Sequence, residues 1–521
     1  MIFQFEHFVL NTKSRELHRG LIPVQVAPQV FDLLEFLVRN HERVVSKDDL
    51  TEAVWDGRIV SDSALTTRIN AVRRALGDSG DAQHYIKTIP RKGVRFVAPV
   101  HELASTGTKT YAAATIRSAA PPYPDRPSIA ILPFSNMSDD RDQEFLADGM
   151  VEDIITTLSH VSSLFVVARN SSFAFKNKSP DIREVGRQLG VRYVLEGSVR
   201  RSTDRLRITA QLIDATDGKH VWAERYDRRL QDIFDIQDEL TKEIVTALRI
   251  KLTDGEQASV WLRSTNNIEA WGYAMRGADH LWRGTAASMS EARSLLERAV
   301  AIDPTYAKAM ALLALTYYFD TRFNYGSSQE ESKRKHAECA ARALALDPEE
   351  PYSWLMRSGV RSFEGQFAEA FEDVKRALDK SPNDAYCWVR SARILIHLDR
   401  GEEAEEAIRY AMRLNPFYPI QYLAILGDAL AHQDRNEEAI AVFDDVVKRE
   451  PRYLSGYVHL ARAHSALGQE KAARSAAAQA LRIDPKYTVA AAASLYLSVN
   501  EERRNAFLGN LESAGFPRGP A

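Results

Sequence analysis

The sequence predicts a multidomain chain: an α+β module over residues 1–100, a connecting stretch at 101–127, an α/β module over 128–252 and an all-α repeat solenoid over 263–521. Three observations predict it. Residues 104–127, ASTGTKTYAAATIRSAAPPYPDRP, carry neither a helical apolar stripe nor a run of strand formers, so they bury too little surface to order as a domain. After about residue 262, β-branched runs give way to alanine, leucine, glutamate and arginine at helical spacing. Within that half, Pro304, Pro348, Pro382, Pro416, Pro451 and Pro485 are spaced 44, 34, 34, 35 and 34 residues apart, the period of stacked helix pairs with one insertion.

Composition agrees and excludes several classes. At roughly 150 residues per domain, 521 residues make about three domains, and 45% hydrophobic with 27% charged residues describes a globular protein. The 68 basic and 71 acidic residues leave a net charge of −3, which at face value argues against a nucleic-acid partner. Only Cys339 and Cys387 occur. The N-terminus lacks the apolar core of a signal peptide, and no stretch approaches the roughly 18 apolar residues of a membrane span. A cytoplasmic protein with no membrane segment is therefore expected.

In the first module, strands are expected around Phe3–Leu10, Glu16–Leu17 and Pro23–Val26. Pro28 suits a first helical turn, and Val30, Leu33, Leu34, Leu37 and Val38 form one buried face. Ser46 followed by Asp49 is a capping pattern that opens a second helix through Leu50, Val54 and Trp55. A third helix follows Ser61-Asp62. At 100° per residue Leu65, Ile69, Val72 and Leu76 fall in one sector and face the core. The opposite side carries Ser63, Thr67, Asn70, Ala71 and Arg74, flanked by Thr66, Arg68 and Arg73. Small and hydrogen-bonding side chains suit a helix entering a major groove, where Asn and Arg read base edges. Tyr85–Ile89 and Val94–Val97 then flank Pro90-Arg91-Lys92-Gly93, a hairpin with a cationic tip. Helix and hairpin together outline a winged helix. From Ser63 to Val97 there are seven bases (Arg68, Arg73, Arg74, Lys87, Arg91, Lys92, Arg95) and two acids (Asp78, Asp81), a local excess of +5. An arginine-bearing helix face is by itself a solvated face. Its coincidence with the hairpin and the charge favours a nucleic-acid surface.

The LL-x-x-L helix, RVVSKDDL-x-x-x-VW, RRALGD and I-K-T-x-x-x-x-G-V-R-F-V resemble the OmpR/PhoB-type winged-helix DNA-binding domain. The resemblance implies a major-groove helix over 61–76, a wing on the minor groove or backbone, and a loop at Asp56–Val60 that can touch RNA polymerase. It also implies tandem binding to direct repeats as a homodimer. The wing sequence Ile89-Pro90-Arg91-Lys92 departs from the usual pattern. With the domain placed at residue 1 of the sequence, phosphorelay control in cis is not expected. The N-terminal placement resembles the ToxR/CadC arrangement without its membrane span.

The middle module reads as strands at Ser128–Phe134, Leu164–Ala168, Tyr193–Arg201, Arg205–Asp214 and His220–Tyr226, with helices at Gln143–His160, Asp181–Leu189 and Leu230–Leu252. Its ILPFSNMS, EFLADGMVEDIITTLS, GVRYVLEGSVRR and LIDATDGKHVWAERYD stretches resemble the TolB-like amino-terminal domain, which implies a binding role. Such relatives sometimes carry adenylate-cyclase domains; residues 1–100 are not one, and no cyclase activity is expected. Acids at Asp148, Glu152 and Asp153 suit a helix start, and Asp214–Gly218 suits a hairpin turn. No catalytic residue, metal site or cofactor emerges.

The 34-residue units, with Ala370, Ala377, Ala404, Ala411, Ala473 and Ala480 at close-packing positions and Trp354, Trp388, Tyr422 and Tyr457 as fillers, resemble tetratricopeptide repeats: about six copies and a cap over Tyr487–Phe516. The family implies a concave groove for a protein or peptide, with Arg393 and Arg462 at equivalent groove positions. The insertion at Phe319–Glu331 is either a loop tuned for a partner or a tolerated extension.

The leading expectation is a transcriptional regulator that binds promoter DNA and senses a ligand or partner through its other modules. Asn70 and Arg74 are the expected base readers; Arg68, Arg73, Arg91, Lys92 and Arg95 are the expected phosphate or minor-groove contacts. The alternative is an interaction scaffold with a weakly specific DNA-binding domain.

Overall fold

Short alternating stretches at the N-terminus fold as a meander. In the computed structural model, Ile2–Phe5 (β1), Phe8–Asn11 (β2), Glu16–Arg19 (β3) and Ile22–Val24 (β4) pair antiparallel. The stretch Phe3–Leu10 divides into two strands, with Phe5 paired to Phe8 across a hairpin. His101–Leu103 (β7) adds to the free edge of β1, giving the order β4-β3-β2-β1-β7. The first three residues of the expected connecting stretch therefore belong to this sheet. The structure describes residues 2–5, 8–12, 16–19, 22–24, 28–41, 43–55, 62–76, 78, 83, 85–89, 92–98, 100–103, 124, 126–138, 143–178, 180–250, 252–253, 256–257, 264–323, 325, 328–496 and 498–519. They fall into two units, Met1–Ala119 and Ala120–Ala521.

In the first unit, Pro28–Arg39 (α1), Lys47–Trp55 (α2) and Asp62–Leu76 (α3) precede the hairpin Ile86–Ile89 (β5) and Gly93–Phe96 (β6). Val30, Leu33, Leu34, Leu37 and Val38 are all buried, with Leu65, Val72 and Leu76 packed into the same core. Each such side chain taken from water contributes about 1.5–3 kcal/mol. Phe5 meets Phe96 edge to face, ring centroids 4.9 Å apart, which ties the N-terminal sheet to the hairpin.

In the second unit, the sheet order is β10-β8-β11-β12-β13, with a short ninth strand on β11. Ser128–Ile131 (β8), Ser135–Asn136 (β9) and Phe165–Val166 (β10) run parallel in it, whereas Tyr193–Ser202 (β11), Arg205–Asp214 (β12) and Lys219–Arg229 (β13) form antiparallel ladders. Leu206, Ile208, Ala210 and Leu212 alternate inward beneath Glu144–Ser159 (α4) and Ile233–Ala247. The turn Asp214–Gly218 closes with Gly218 at φ +76°.

Six helix pairs follow, from Ile268–Trp282 with Ala286–Ile302 to Leu454–Ala466 with Glu470–Ile483, and then Val489–Leu495 and Glu501–Ala514. Each proline of the 34-residue period lies just beyond the second helix of a pair, where it ends one unit and starts the next. Trp354 and Trp388 donate from Nε1 to the carbonyls of Pro348 and Pro382, at 2.7 and 2.8 Å, the same bond in successive units. The insertion lengthens its pair: Ala307–Phe323 has 17 residues and Gln329–Leu346 has 18, against 12 to 14 in the helices of the next four pairs.

The middle module and the repeats are not separate bodies. One apolar core runs from Ile129 through α4 to Trp271 and the repeat helices. Polar bonds join them as well: Ala168 N to Leu414 O at 2.8 Å, Ser171 Oγ to Asn415 Oδ1 at 2.6 Å, and Asn383 Nδ2 to Val161 O at 2.9 Å.

Candidate nucleic-acid interface

Local bonding fixes the second and third helices and the wing as one piece. Ser46 Oγ accepts from Asp49 N at 3.1 Å while Asp49 Oδ2 accepts from Ser46 N at 2.9 Å, a reciprocal cap at the start of α2. The Ser46 amide, with Arg43, holds the Asp49 carboxyl below its ordinary range. With Leu65, Val72 and Leu76 inward, α3 turns Thr66, Thr67 and Asn70 to the surface and leaves Arg68 half-exposed.

The wing is anchored at three points. Val45 and Val94 exchange two backbone bonds, 2.8 and 2.9 Å. Gly93 allows this approach: it sits at φ +133°, and a Cβ there would lie 2.0 Å from the Val45 carbonyl oxygen. Asp78, buried, accepts from the amides of Tyr85 and Ile86 at 3.0 and 3.1 Å, so an acid that dilutes the local charge on paper starts the wing strand in the fold.

Arg73 supplies the third anchor. Its side chain is 7% exposed and donates from Nη2 to Thr88 Oγ1 at 2.8 Å and Ile86 O at 3.1 Å, and from Nη1 to Asn70 Oδ1 at 3.3 Å. A phosphate contact by Arg73, expected from the sequence, does not fit this placement: the side chain is buried, and its Nη donors join α3 to β5 and orient Asn70.

The wing's outer face is cationic. The antiparallel register sets Lys87 opposite Arg95, both exposed, with Lys92 exposed near the tip. Arg95 also donates from Nε to His41 O at 3.3 Å. Like charges directly opposite each other on a sheet repel, so this pair costs the hairpin stability. Lys87, counted in the charge but not singled out as a site residue, is placed by that register. The side chains of Ser63 and Arg74, and all of Arg91 and Asp56–Val60, lie outside the described residues.

Elsewhere, strands β11–β13 wall an open cavity of about 1300 Å³ whose polar lining pairs across strands, as in Ser198 Oγ with Thr209 Oγ1 at 2.6 Å. In the repeats Arg393 is half-buried beside Arg390, whereas Arg462 is 9% exposed and reaches Asn436 Oδ1 at 3.4 Å. Among the described residues, no cluster of His, Cys, Asp and Glu could hold a metal ion, and no helix is long and apolar enough to cross a membrane.

Comparison with known proteins matches these parts to family models. Residues 22–96 match the transcriptional regulatory protein C-terminal family, residues 125–246 the second domain of HilA/YgeH-like transcriptional regulators, and residues 364–427 and 454–487 tetratricopeptide repeats. A Rhizobium meliloti protein named "Putative adenylate cyclase 3" is 45% identical over 291 residues, 54% of this chain and 48% of its own. The chain thus spans about half the length of that relative. "Transcriptional regulator HilA" of Salmonella paratyphi A is 24% identical over 417 residues, 80% of this chain and 70% of its own. "Transcriptional activator CadC" of Escherichia coli is 35% identical over 94 residues, 18% of each chain. Residues 22–96 are therefore a winged-helix domain of the OmpR/PhoB type, the domain of a family of transcriptional regulators, carried in one chain with a HilA-like regulator domain and tetratricopeptide repeats.

Proposed function

We propose that this protein is a cytoplasmic, sequence-specific transcriptional regulator that binds double-stranded promoter DNA through its winged helix. The observation that carries the reading is a surface made by two linked elements. Thr66, Thr67 and Asn70 stand exposed on α3, and the adjoining wing sets Lys87 opposite Arg95 with Lys92 near its tip. In this reading Asn70 and Arg74 read base edges, with Ser63, Thr66 and Thr67 close by. Arg68, Lys87, Arg91, Lys92 and Arg95 meet phosphates or the minor groove. The domain family and the HilA and CadC relatives support it.

The remaining assignments belong to the same proposal. Asp56–Val60 meets RNA polymerase, and two copies occupy tandem sites. The middle module, TolB-like in sequence, and the repeats take a ligand or a protein partner and pass that signal to the DNA-binding domain. The chain works by binding, with no catalytic step of its own.

The test is selection of bound sequences from random double-stranded DNA by the full chain. One shared motif is expected, and Asn70→Ala and Arg74→Ala each relax one position at a cost of about 1–3 kcal/mol. Bound sequences without a common motif, matched by diffuse occupancy of the genome, would overturn the reading in favour of a scaffold.

A further inference from the structure

Several arginines of the repeats meet a carboxylate. Arg293 pairs with Asp320, Arg357 and Arg361 share Asp373, and Arg435 pairs with Glu405 and Glu438. One group does not. Arg322 on Ala307–Phe323 and Arg390 and Arg393 on Ala385–His397 gather around the hydroxyl of Tyr318, and no ion pair to any of the three is found among the described residues.

The centre of the group is buried and under-bonded. Arg390 is 3% exposed; Nη1 donates to Tyr318 Oη, while Nε and Nη2 have no hydrogen-bond partner among the described residues. Its guanidinium carbon sits 4.6 Å from the Tyr318 ring centroid. Arg322 and Arg393 are half-buried, each keeping some exposure to solvent. Three like charges around one phenol cost the fold unless an anion joins them, because low-dielectric surroundings strengthen their repulsion.

The like charges act on one another and on the phenol. Burial pushes the Arg393 guanidinium down, with Arg322 acting the same way, to about 10. Burial would raise the Tyr318 phenol, but Arg390, Arg322 and Arg393 outweigh it and hold it below its ordinary value. Aromatic rings flank the cluster: Phe363 lies 5.4 Å from Tyr318, and Phe319, Phe323 and Tyr325 stack in series, the last two exposed at 46% and 38%.

We propose that Arg322, Arg390 and Arg393, with Tyr318, form an oxyanion-binding site in the repeats, spanning three successive helix pairs, that takes a carboxylate presented beside an apolar side chain. Guanidinium groups match carboxylate geometry through paired donors, and the exposed rings supply the apolar neighbour. The inference rests on the reading of the repeats as a partner-binding surface and names the chemistry that surface selects. The same donors would also take a free oxyanion, so the two sources are separated by experiment.

The full chain is panned against a random peptide library displayed on phage, and in parallel titrated calorimetrically with inorganic phosphate. Selected peptides are expected to be enriched in Asp and Glu. Their binding should weaken at least tenfold when the acid is replaced by its amide, and equally with Arg393→Ala or Arg322→Ala. Both variants keep the circular dichroism of the parent, and Arg474→Ala, on an outer helix, leaves affinity unchanged. Phosphate binding that Arg393→Ala abolishes, without acidic peptides, keeps the site and makes a small anion its ligand. Peptides that bind independently of any acid and of Arg322 and Arg393 overturn the site while leaving the repeats as a peptide-binding surface. No selected peptide and no phosphate heat would overturn both.

Discussion

Replacing Arg73 by methionine separates two roles for a cation on the recognition helix. The guanidinium makes two bonds to the wing, 2.8 Å to Thr88 Oγ1 and 3.1 Å to Ile86 O, from a side chain only 7% exposed. Hydrogen bonds from a charged donor contribute about 1.5–3 kcal/mol each, and methionine recovers part of the loss through apolar packing. A net cost on the order of 3 kcal/mol to the docked wing follows, which lowers hydrogen-exchange protection about a hundredfold. Exchange at the Val45 and Val94 amides, which close the wing onto the chain before α2, reads this directly in the full-length protein. DNA binding supplies the second readout. A lost phosphate contact reduces the slope of log affinity against log salt by about 0.9, whereas a lost anchor lowers affinity and leaves the slope unchanged. Unaltered exchange at Val45 and Val94 together with a shallower salt slope would refute the structural role and restore Arg73 to the phosphate surface.

Three further outcomes are expected. Gly93→Ala places a Cβ 2.0 Å from the Val45 carbonyl oxygen at φ +133°, so backbone strain plus the weakened bridge should destabilise the first unit by about 3 kcal/mol or more, seen as a lowered first melting transition. Burial, reinforced by Arg390, pushes the His336 imidazole down to about 3 from 6.5. The unfolded chain then takes up the proton first, and stability present above pH 6.5 is lost on acidification by about 2 kcal/mol between pH 7 and 5. Urea midpoints at the two pH values should show that loss, and His336→Phe should remove it. Asp153 accepts from Lys308 Nζ at 3.0 Å and Trp271 Nε1 at 2.6 Å, where the middle module meets the repeats. Asp153→Ala leaves Lys308 buried without its partner, at about 3–5 kcal/mol, and limited proteolysis should then cut between the modules; an unchanged digestion pattern would mean that the pair is dispensable.

Periodicity made the winged helix legible, since every apolar residue assigned to the inner face of α1 is buried, and the Ser46–Asp49 pattern is the cap it suggests. What escaped was long-range. Arg73 lies four residues after Ile69 and three before Leu76, at the edge of the buried sector, and its charge alone suggested an outward side chain. The acceptors that bring it inward, Ile86 O and Thr88 Oγ1, come from a strand whose packing no local pattern encodes. The joining of middle module and repeats left one readable sign. Gly149 lies inside α4, and a Cβ there would stand 2.7 Å from Met275 and 2.8 Å from Trp271; a glycine within a helical pattern marks such a close approach.

A net charge of −3 is silent about partners because it sums cations with different fates. Residues 1–100 hold 14 bases and 12 acids, net +2, so the remainder carries −5. What distinguishes a structural cation from one that faces outward is whether the fold supplies its acceptor. Arg73 has strand acceptors, Lys308 has Asp153, and Arg357 and Arg361 have Asp373. Lys87 and Arg95 face each other instead, and Arg322, Arg390 and Arg393 crowd one phenol. Both groupings set like charges together, an arrangement the folded chain bears at a cost and that an external anion would relieve. On the function proposed, that anion is the DNA phosphate on the wing and a peptide carboxylate in the repeats, where aromatic rings flank the arginines. The two sites therefore differ in a measurable way. Binding at the wing should fall steeply with salt as condensed counterions return to DNA, whereas the half-buried arginines of the repeats, shielded from bulk ions, should lose far less affinity over the same range.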